Sequence, residues 1–342
     1  MKKISLLFVI LLGSILIATG CGQATNNNND KKEESSTNVT EKIESKDPQE
    51  ISVYMPNGTP AISMSEMVKE NKKIGENYNI NYKIENTSDS LVTEVLKGTP
   101  DIAIVPSNLA AQVYNKDLGY VLAGTTGWGA LYLVSTDEEV EIKDLSGKEV
   151  FNIAKGLTPD LIFREILSAN GLGEEQVTLS YVGGPTELAP YIVSGKANLA
   201  VVPEPALTVI KGKKPELKIL ANLNEEWANI FQMEKGFPQA SIIIKKDLVE
   251  NHKEFVDEFI TKLDASIDWV NDNVAKAAEY SVEIGVNFEV PIIEKSIENS
   301  NLDFVHVQET KKEYEKYYEV LMNSNEKSIG GKMPDEKFFL EK

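Results

Sequence analysis

Two threonine–proline pairs, Thr59-Pro60 and Thr158-Pro159, stand 99 residues apart, each a few residues past a short apolar run. A hydroxyl followed by proline suits a helix start. Threonine accepts an orphan N–H at the cap, and proline has no N–H to leave unpaired in the first turn. Helix starts of this kind present free N–H groups and a positive dipole end to an oxygen-rich ligand. The chemistry on offer is recognition. Other residues able to take part also lie just past apolar runs: Asn57 next to Thr59, Asp160 next to Thr158, Ser107 and Asn108 after Pro106, Thr125 and Trp128 within Gly124–Gly129, and Glu204 after Pro203. Ser107 and Asn108 are either ligand contacts or turn residues. Glu204 is either a solvated rim charge or an acceptor for ligand N–H groups. Trp128 is either an aromatic floor for a flat ligand or a packing residue.

Catalytic chemistry has little to draw on. The chain holds two histidines, His252 and His306, and one cysteine, Cys21. Both histidines fall in segments read as surface helix, away from the loops above. No glycine-rich phosphate loop, nucleophile elbow or His-x-x-x-His pair occurs. Neither a cofactor nor a metal site is expected. Arg164 is the only arginine and lies beyond the first turn of its helix, so a bidentate clamp on a carboxylate, sulfonate or phosphate is not foreseen. A small polar organic ligand therefore fits better than a bare anion.

The elements that must position these residues come in two copies. Leu91–Asn108 and Leu188–Pro205 match at an offset of 97, with Leu91, Gly98, Ala103, Val105 and Pro106 meeting Leu188, Gly195, Ala200, Val202 and Pro203. The first copy reads as strand 51–55, a helix from Thr59, strand 80–84, helix 90–97 and strand 101–105. Strands 121–123 and 130–135 follow around the glycine-rich stretch. The second copy reads as strand 150–154, a helix from Thr158 to Asn170, strand 177–182, helix 186–194 and strand 198–202, with a further strand at 217–221. Alternating strands and helices predict an α/β sheet in each half. Ligands of such sheets bind beyond the carboxyl ends of the strands, the end at which the residues above fall. After strand 242–244 a single long helix is expected over 246–273, and further helices follow.

Lys2 and Lys3, the apolar stretch Ile4–Ile17 and Ala18-Thr19-Gly20 ahead of Cys21 form a secretory signal over residues 1–20. Residues 21–50 are polar and charged and predict a disordered tether. Removing 20 residues leaves 322, of which about 290 remain for two domains at the usual size. With 35 Lys and Arg against 53 Asp and Glu the net charge is −18, and −20 once Lys2 and Lys3 leave. Nothing forms a basic stripe, so nucleic acid is not an expected partner.

In this order the motifs resemble a known family, the solute-binding lipoproteins of ABC importers of the nitrate, sulfonate and thiamine-precursor (NitT/TauT) type. The matching pieces are Leu96-Lys-Gly-Thr-Pro-Asp-Ile-Ala-Ile-Val-Pro106, Asp144-Leu-Ser-Gly-Lys148, Ser194-Gly-Lys-Ala-Asn-Leu-Ala-Val-Val-Pro-Glu-Pro205 and the ending Ser328-Ile-Gly-Gly-Lys-Met-Pro-Asp-Glu-Lys-Phe338. The resemblance spans residues 50–342. It implies a two-lobe periplasmic-binding-protein-like α/β fold of type II, with lobe 1 over 51–136 and 240–342 and lobe 2 over 137–239. The crossovers would fall near 135–144 and 236–241. It further implies a monomer, lipidated at Cys21 on the extracytoplasmic face of the membrane, that closes on a small molecule and delivers it to a membrane permease. Two alternatives share the same lobes: a ligand-binding lipoprotein that senses or binds a partner without transport, and an enzyme related to pyrimidine synthases, whose cysteine cluster this chain lacks.

Overall fold

The computed structural model describes residues 48–137 and 139–342. The signal sequence, Cys21 and nearly all of the expected tether lie outside the described residues. The first half runs β1 (Gln49–Pro56), α1 (Thr59–Ser63), α2 (Ser65–Glu70), β2 (Lys73–Ile74), β3 (Tyr78–Glu85), α3 (Ser88–Leu96), β4 (Ile102–Pro106), α4 (Ser107–Asn115) and β5 (Tyr120–Trp128). The second runs β6 (Leu131–Ser135), β7 (Glu149–Ile153), α5 (Thr158–Ala169), β8 (Thr178–Val182), α6 (Pro185–Val193), β9 (Leu199–Pro203), α7 (Ala206–Lys213), β10 (Lys218–Asn222) and α8 (Leu223–Phe231). The chain then returns through β11 (Pro238–Lys245), α9 (Lys246–Asn251), α10 (Lys253–Asp272), α11 (Val274–Glu283), α12 (Val290–Ile297), β12 (Val305–His306) and α13 (Val307–Ser324).

Among the described residues two sheets form, ordered β12-β5-β11-β4-β1-β3-β2 and β10-β6-β9-β7-β8. The sequence repeat is thus a repeat of topology. β1 lies parallel between β4 and β3, as β7 lies parallel between β9 and β8. An antiparallel strand flanks the third strand of each unit, β11 beside β4 and β6 beside β9. β4 and β9 read as unbroken apolar runs because helices cover both faces of a parallel sheet, and Ile102–Val105 and Leu199–Val202 are all buried. The copied glycines serve one purpose. Gly98 and Gly195 take φ of +70° and +73°, and each closes its helix with paired backbone bonds: Gly98 N–H to Val95 O and Thr99 N–H to Glu94 O, Gly195 N–H to Ile192 O and Lys196 N–H to Tyr191 O. Glycine occupies these left-handed sites at no steric cost.

Four sequence expectations change. Gly124–Trp128 is strand, not loop, since β5 runs unbroken from Tyr120 to Trp128. Glycine is there for close approach: a Cβ on Gly124 would sit 2.5 Å from the Val305 carbonyl oxygen of β12. The helix expected over 246–273 breaks at His252, whose backbone leaves the helical region while its Nδ1 lies 3.0 Å from the Tyr78 hydroxyl. β1 begins at Gln49, inside the expected tether, because Gln49 N–H donates to Asn77 O. The first passage between sheets occurs at Gly129-Ala130 rather than near 135–144, because β6 already pairs with β9.

The two passages between sheets run side by side, with Gly129 N–H donating to Phe237 O at 3.0 Å. Asn224 sits against both. Its Oδ1 accepts Phe237 N–H, its Nδ2 donates to Lys235 O, and a Cβ on Gly129 or Gly236 would fall 2.2 or 1.9 Å from that Oδ1. Below this junction α13 packs Tyr314, Tyr317 and Tyr318 into the core, all fully buried, and Trp227 of α8 meets Tyr317 at 5.9 Å between ring centres.

Candidate ligand-binding cleft

The carboxyl ends of β1, β3 and β4 face those of β7, β8 and β9, and the loops beyond them touch. Thr59, first residue of α1, is buried, and its hydroxyl donates to Glu204 O across the gap at 2.9 Å. Asn108, in the first turn of α4 and fully buried, donates from Nδ2 to Gly156 O at 3.1 Å and to Ser328 O at 3.0 Å. The Thr158 hydroxyl lies 3.3 Å from Asn108 Oδ1 and 3.0 Å from the Tyr317 hydroxyl, and accepts the Asn108 N–H at 3.4 Å. Polar groups from the two halves therefore satisfy one another in a buried junction, where an unpaired one would cost about 1–3 kcal/mol.

Neither threonine caps its helix. The caps are Gly58 and Leu157, neither makes a side-chain cap bond, and both threonines are already helical. The expected capping role is corrected: tertiary partners across the gap take the hydroxyls that local geometry would have turned inward.

The other sequence candidates separate into four sets. Asn57 sits at the mouth, where its Nδ2 donates to Asn86 Oδ1 at 2.9 Å and its Oδ1 accepts Asn287 N–H at 3.2 Å. Ser107 and Thr125 turn into the first half. Ser107 Oγ lies 2.6 Å from Ser241 Oγ, Thr125 Oγ1 lies 2.7 Å from the Tyr314 hydroxyl, and burial pushes that phenol up to about 12. Asp160 is buried with its acceptors occupied: Oδ2 by Gly156 N–H, Oδ1 by Arg164 Nε and the Tyr181 hydroxyl. It holds the loop that carries Thr158, and it holds Arg164 as well.

Glu204 and Trp128 are the two unusual groups. Glu204 is 3% exposed at the end of β9, with Oε2 accepting Thr208 N–H at 3.1 Å. Burial raises its carboxyl above the ordinary range, while the bonds from Thr208 and the charge of Lys211 pull the other way. It lines a cavity of about 380 Å³ together with Tyr132, Lys211 and Lys295. Trp128 is 5% exposed at the end of β5, and its indole N–H has no acceptor among the described residues.

Sequence reasoning missed Asn86, Asn287 and Tyr317. Asn86 was within reach, because it follows β3 as Asn57 follows β1. Tyr317 belongs to an i, i+3, i+4 tyrosine stripe that reads as core, and only the packing of α13 shows that its hydroxyl reaches Thr158.

A sequence model of the family described as NMT1/THI5 like matches residues 76–277. No curated protein matches the chain significantly. Among solved structures, an ABC transporter protein from Parabacteroides distasonis is 27% identical over 85% of this chain and 99% of its own, with a TM-score of 0.71. The ligand-binding component of an ABC-type import system from Staphylococcus aureus, 12% identical over 86% of this chain and 96% of its own, gives 0.68. The alkanesulfonate-binding protein SsuA from Xanthomonas axonopodis pv. citri, solved with MOPS, is 11% identical over 85% of this chain and 96% of its own, and gives 0.66. The two-sheet α/β architecture is shared with these proteins and is a two-lobe, periplasmic-binding-protein-like fold.

Proposed function

The chain belongs to the NMT1/THI5-like family, and we propose that it captures one small polar organic solute between its lobes and hands it to the permease of an ABC importer. Its structural relatives include an ABC transporter protein and the ligand-binding component of an ABC-type import system. We assign residues 49–129 and 238–342 to lobe 1 and 130–237 to lobe 2. Cys21 carries the lipid anchor that holds the protein on the extracytoplasmic face, and residues 22–48 act as the tether. Acyl chains do that work because a strongly acidic body would be repelled by anionic lipid.

One observation carries the reading: Thr59, Asn108, Thr158 and Glu204 are all buried where loops of both lobes meet. Each bond between the lobes contributes a net ~1 kcal/mol. A solute offering equivalent partners replaces these bonds one for one, so hinge closure can follow binding at small energetic cost. Thr59, Thr158 and Asn108 supply donors, and the Glu204 carboxyl and the Asn108 amide oxygen supply acceptors. With Arg164 held by Asp160, no guanidinium is left to clamp an anion. That favours a solute with its own N–H or O–H groups over a bare inorganic anion.

Thermal-shift screening of residues 48–342 against sulfonates, nitrate, bicarbonate, pyrimidines and flavins tests the proposal. A solute at a hundredfold its Kd should stabilise by about 2.7 kcal/mol. If none of these solutes stabilises the protein and scattering detects no closure, solute capture is wrong.

A further inference from the structure

Away from the polar junction, elements of the two halves border a second, open-sided space. A cavity of about 710 Å³ lies between α6 and α7 on one side and the segment 286–292 on the other. Its walls are apolar: Ala189 and Val193 from α6, Val209 from α7, and Val286, Phe288 and Ile292 from the facing segment. Val286 is buried, and Phe288 and Ile292 are half-buried against the same space. The charged groups at the rim, Lys213 and Glu289, are exposed and opposite in sign, so neither an anion nor a cation is favoured within. Thr186 and Asn287 provide polar handles at one end. The volume falls within the ~300–1,000 Å³ typical of small-molecule sites.

The facing segment is tied to the cleft mouth. Asn287 donates its N–H to Asn57 Oδ1 at 3.2 Å and its Nδ2 to Asn86 Oδ1 at 2.9 Å. A molecule filling the cavity touches α6 and α7 on one half and a segment bound to β1 and β3 on the other. It can do so only while the halves hold this arrangement, so its binding favours that arrangement by its differential affinity. We infer that the cavity is a second binding site, for a neutral and largely apolar small molecule, and that its occupant holds the two halves together. This goes beyond solute capture at the polar junction; Gly212 and Ile292 also border the cavity beside Glu204, and the Asn57–Asn287 bond links the segment to the cleft mouth.

Gly212 supplies the test. It lines the cavity, a Cβ built on it meets nothing within 4 Å, and its backbone is not in the left-handed region. Gly212→Trp therefore fills the space without backbone strain, and within α7 any residue but proline favours the helix more than glycine does. The full chain is titrated with the neutral fluorophore N-phenyl-1-naphthylamine, and hydrogen exchange is followed with the probe bound. The expected result is a saturable component that Gly212→Trp weakens at least about tenfold, with exchange slowed in both 206–213 and 286–292. Phe288→Ser, on the half-buried connection between α11 and α12, should weaken it in the same direction. Identical binding by wild type and both variants, or slowed exchange on one side only, overturns the inference. Solute-induced stabilisation should survive Phe288→Ser, whose side chain lines this cavity and not the one beside Glu204, so a failure here stays distinct from a failure of solute capture.

Discussion

The two strand–helix–strand units share a chain path and differ at their tips. β4 and β9 occupy equivalent places and follow helices closed by equivalent glycines. Beyond them, Ser107-Asn108 passes directly into α4, and its polar groups are spent within the protein, on Ser241, Gly156, Thr158 and Ser328. The other tip, Glu204-Pro205, offers its backbone oxygen to Thr59 and keeps a buried carboxyl whose protonated form is favoured by burial. Packing and turn geometry explain what the copies share. The difference makes one tip a structural clasp and leaves the other with chemistry to spare.

Breaking the clasp should have the largest effect. Asn108→Ala strands Gly156 O and takes one partner each from the Thr158 hydroxyl and Ser328 O, and should cost about 3 kcal/mol in urea unfolding. Glu204→Ala should cost less than about 1 kcal/mol at neutral pH, since it removes a charge that burial disfavours. Equal costs at both tips would erase the distinction. The shared parts give the next test. Gly98→Ala and Gly195→Ala each force alanine into φ near +70°, and each should cost about 1 kcal/mol, by matching amounts. A mismatch would mean that the two glycines do different jobs. Thr59→Val and Thr158→Val should leave folding nearly unchanged while shifting the closed-to-open ratio about fivefold per ~1 kcal/mol bond lost, as read by distances between labels on the two halves.

The smallest effect is one of pH. The Glu204 carboxyl is raised above its ordinary value of 4.5, so between the two values the folded chain keeps a proton that the unfolded chain has released. Stability from this group is complete below about pH 4.5 and declines as pH rises through the raised value. Glu204→Gln should flatten that part of the stability profile, compared by urea midpoints across pH 4–8. An unchanged slope would place the carboxyl in water.

The repeat made the α/β class and the strand ends readable, because buried parallel strands, helix-closing glycines and Thr-Pro starts leave local signatures. What was not readable is tertiary. Gly124–Gly129 looks like a loop until β12 and Phe237 are seen to need the space that side chains would fill. Thr59 and Thr158 look like caps until partners 145 and 159 residues away claim their hydroxyls. Asp160 looked like a ligand acceptor, and nothing local shows that Tyr181, 21 residues on, and Arg164 share its Oδ1.

Hinge closure on a solute is the central claim, and one distance tests it directly. Cys21 is the only cysteine, so residues 48–342 can carry label pairs without background. Asp89→Cys on α3 and Glu175→Cys ahead of β8 are both exposed and lie on opposite halves. Electron–electron distance measurement should give a broad or two-component distribution without solute. It should collapse to a single short distance with whichever solute most stabilises the fold. A distribution that no stabilising solute alters would contradict the account.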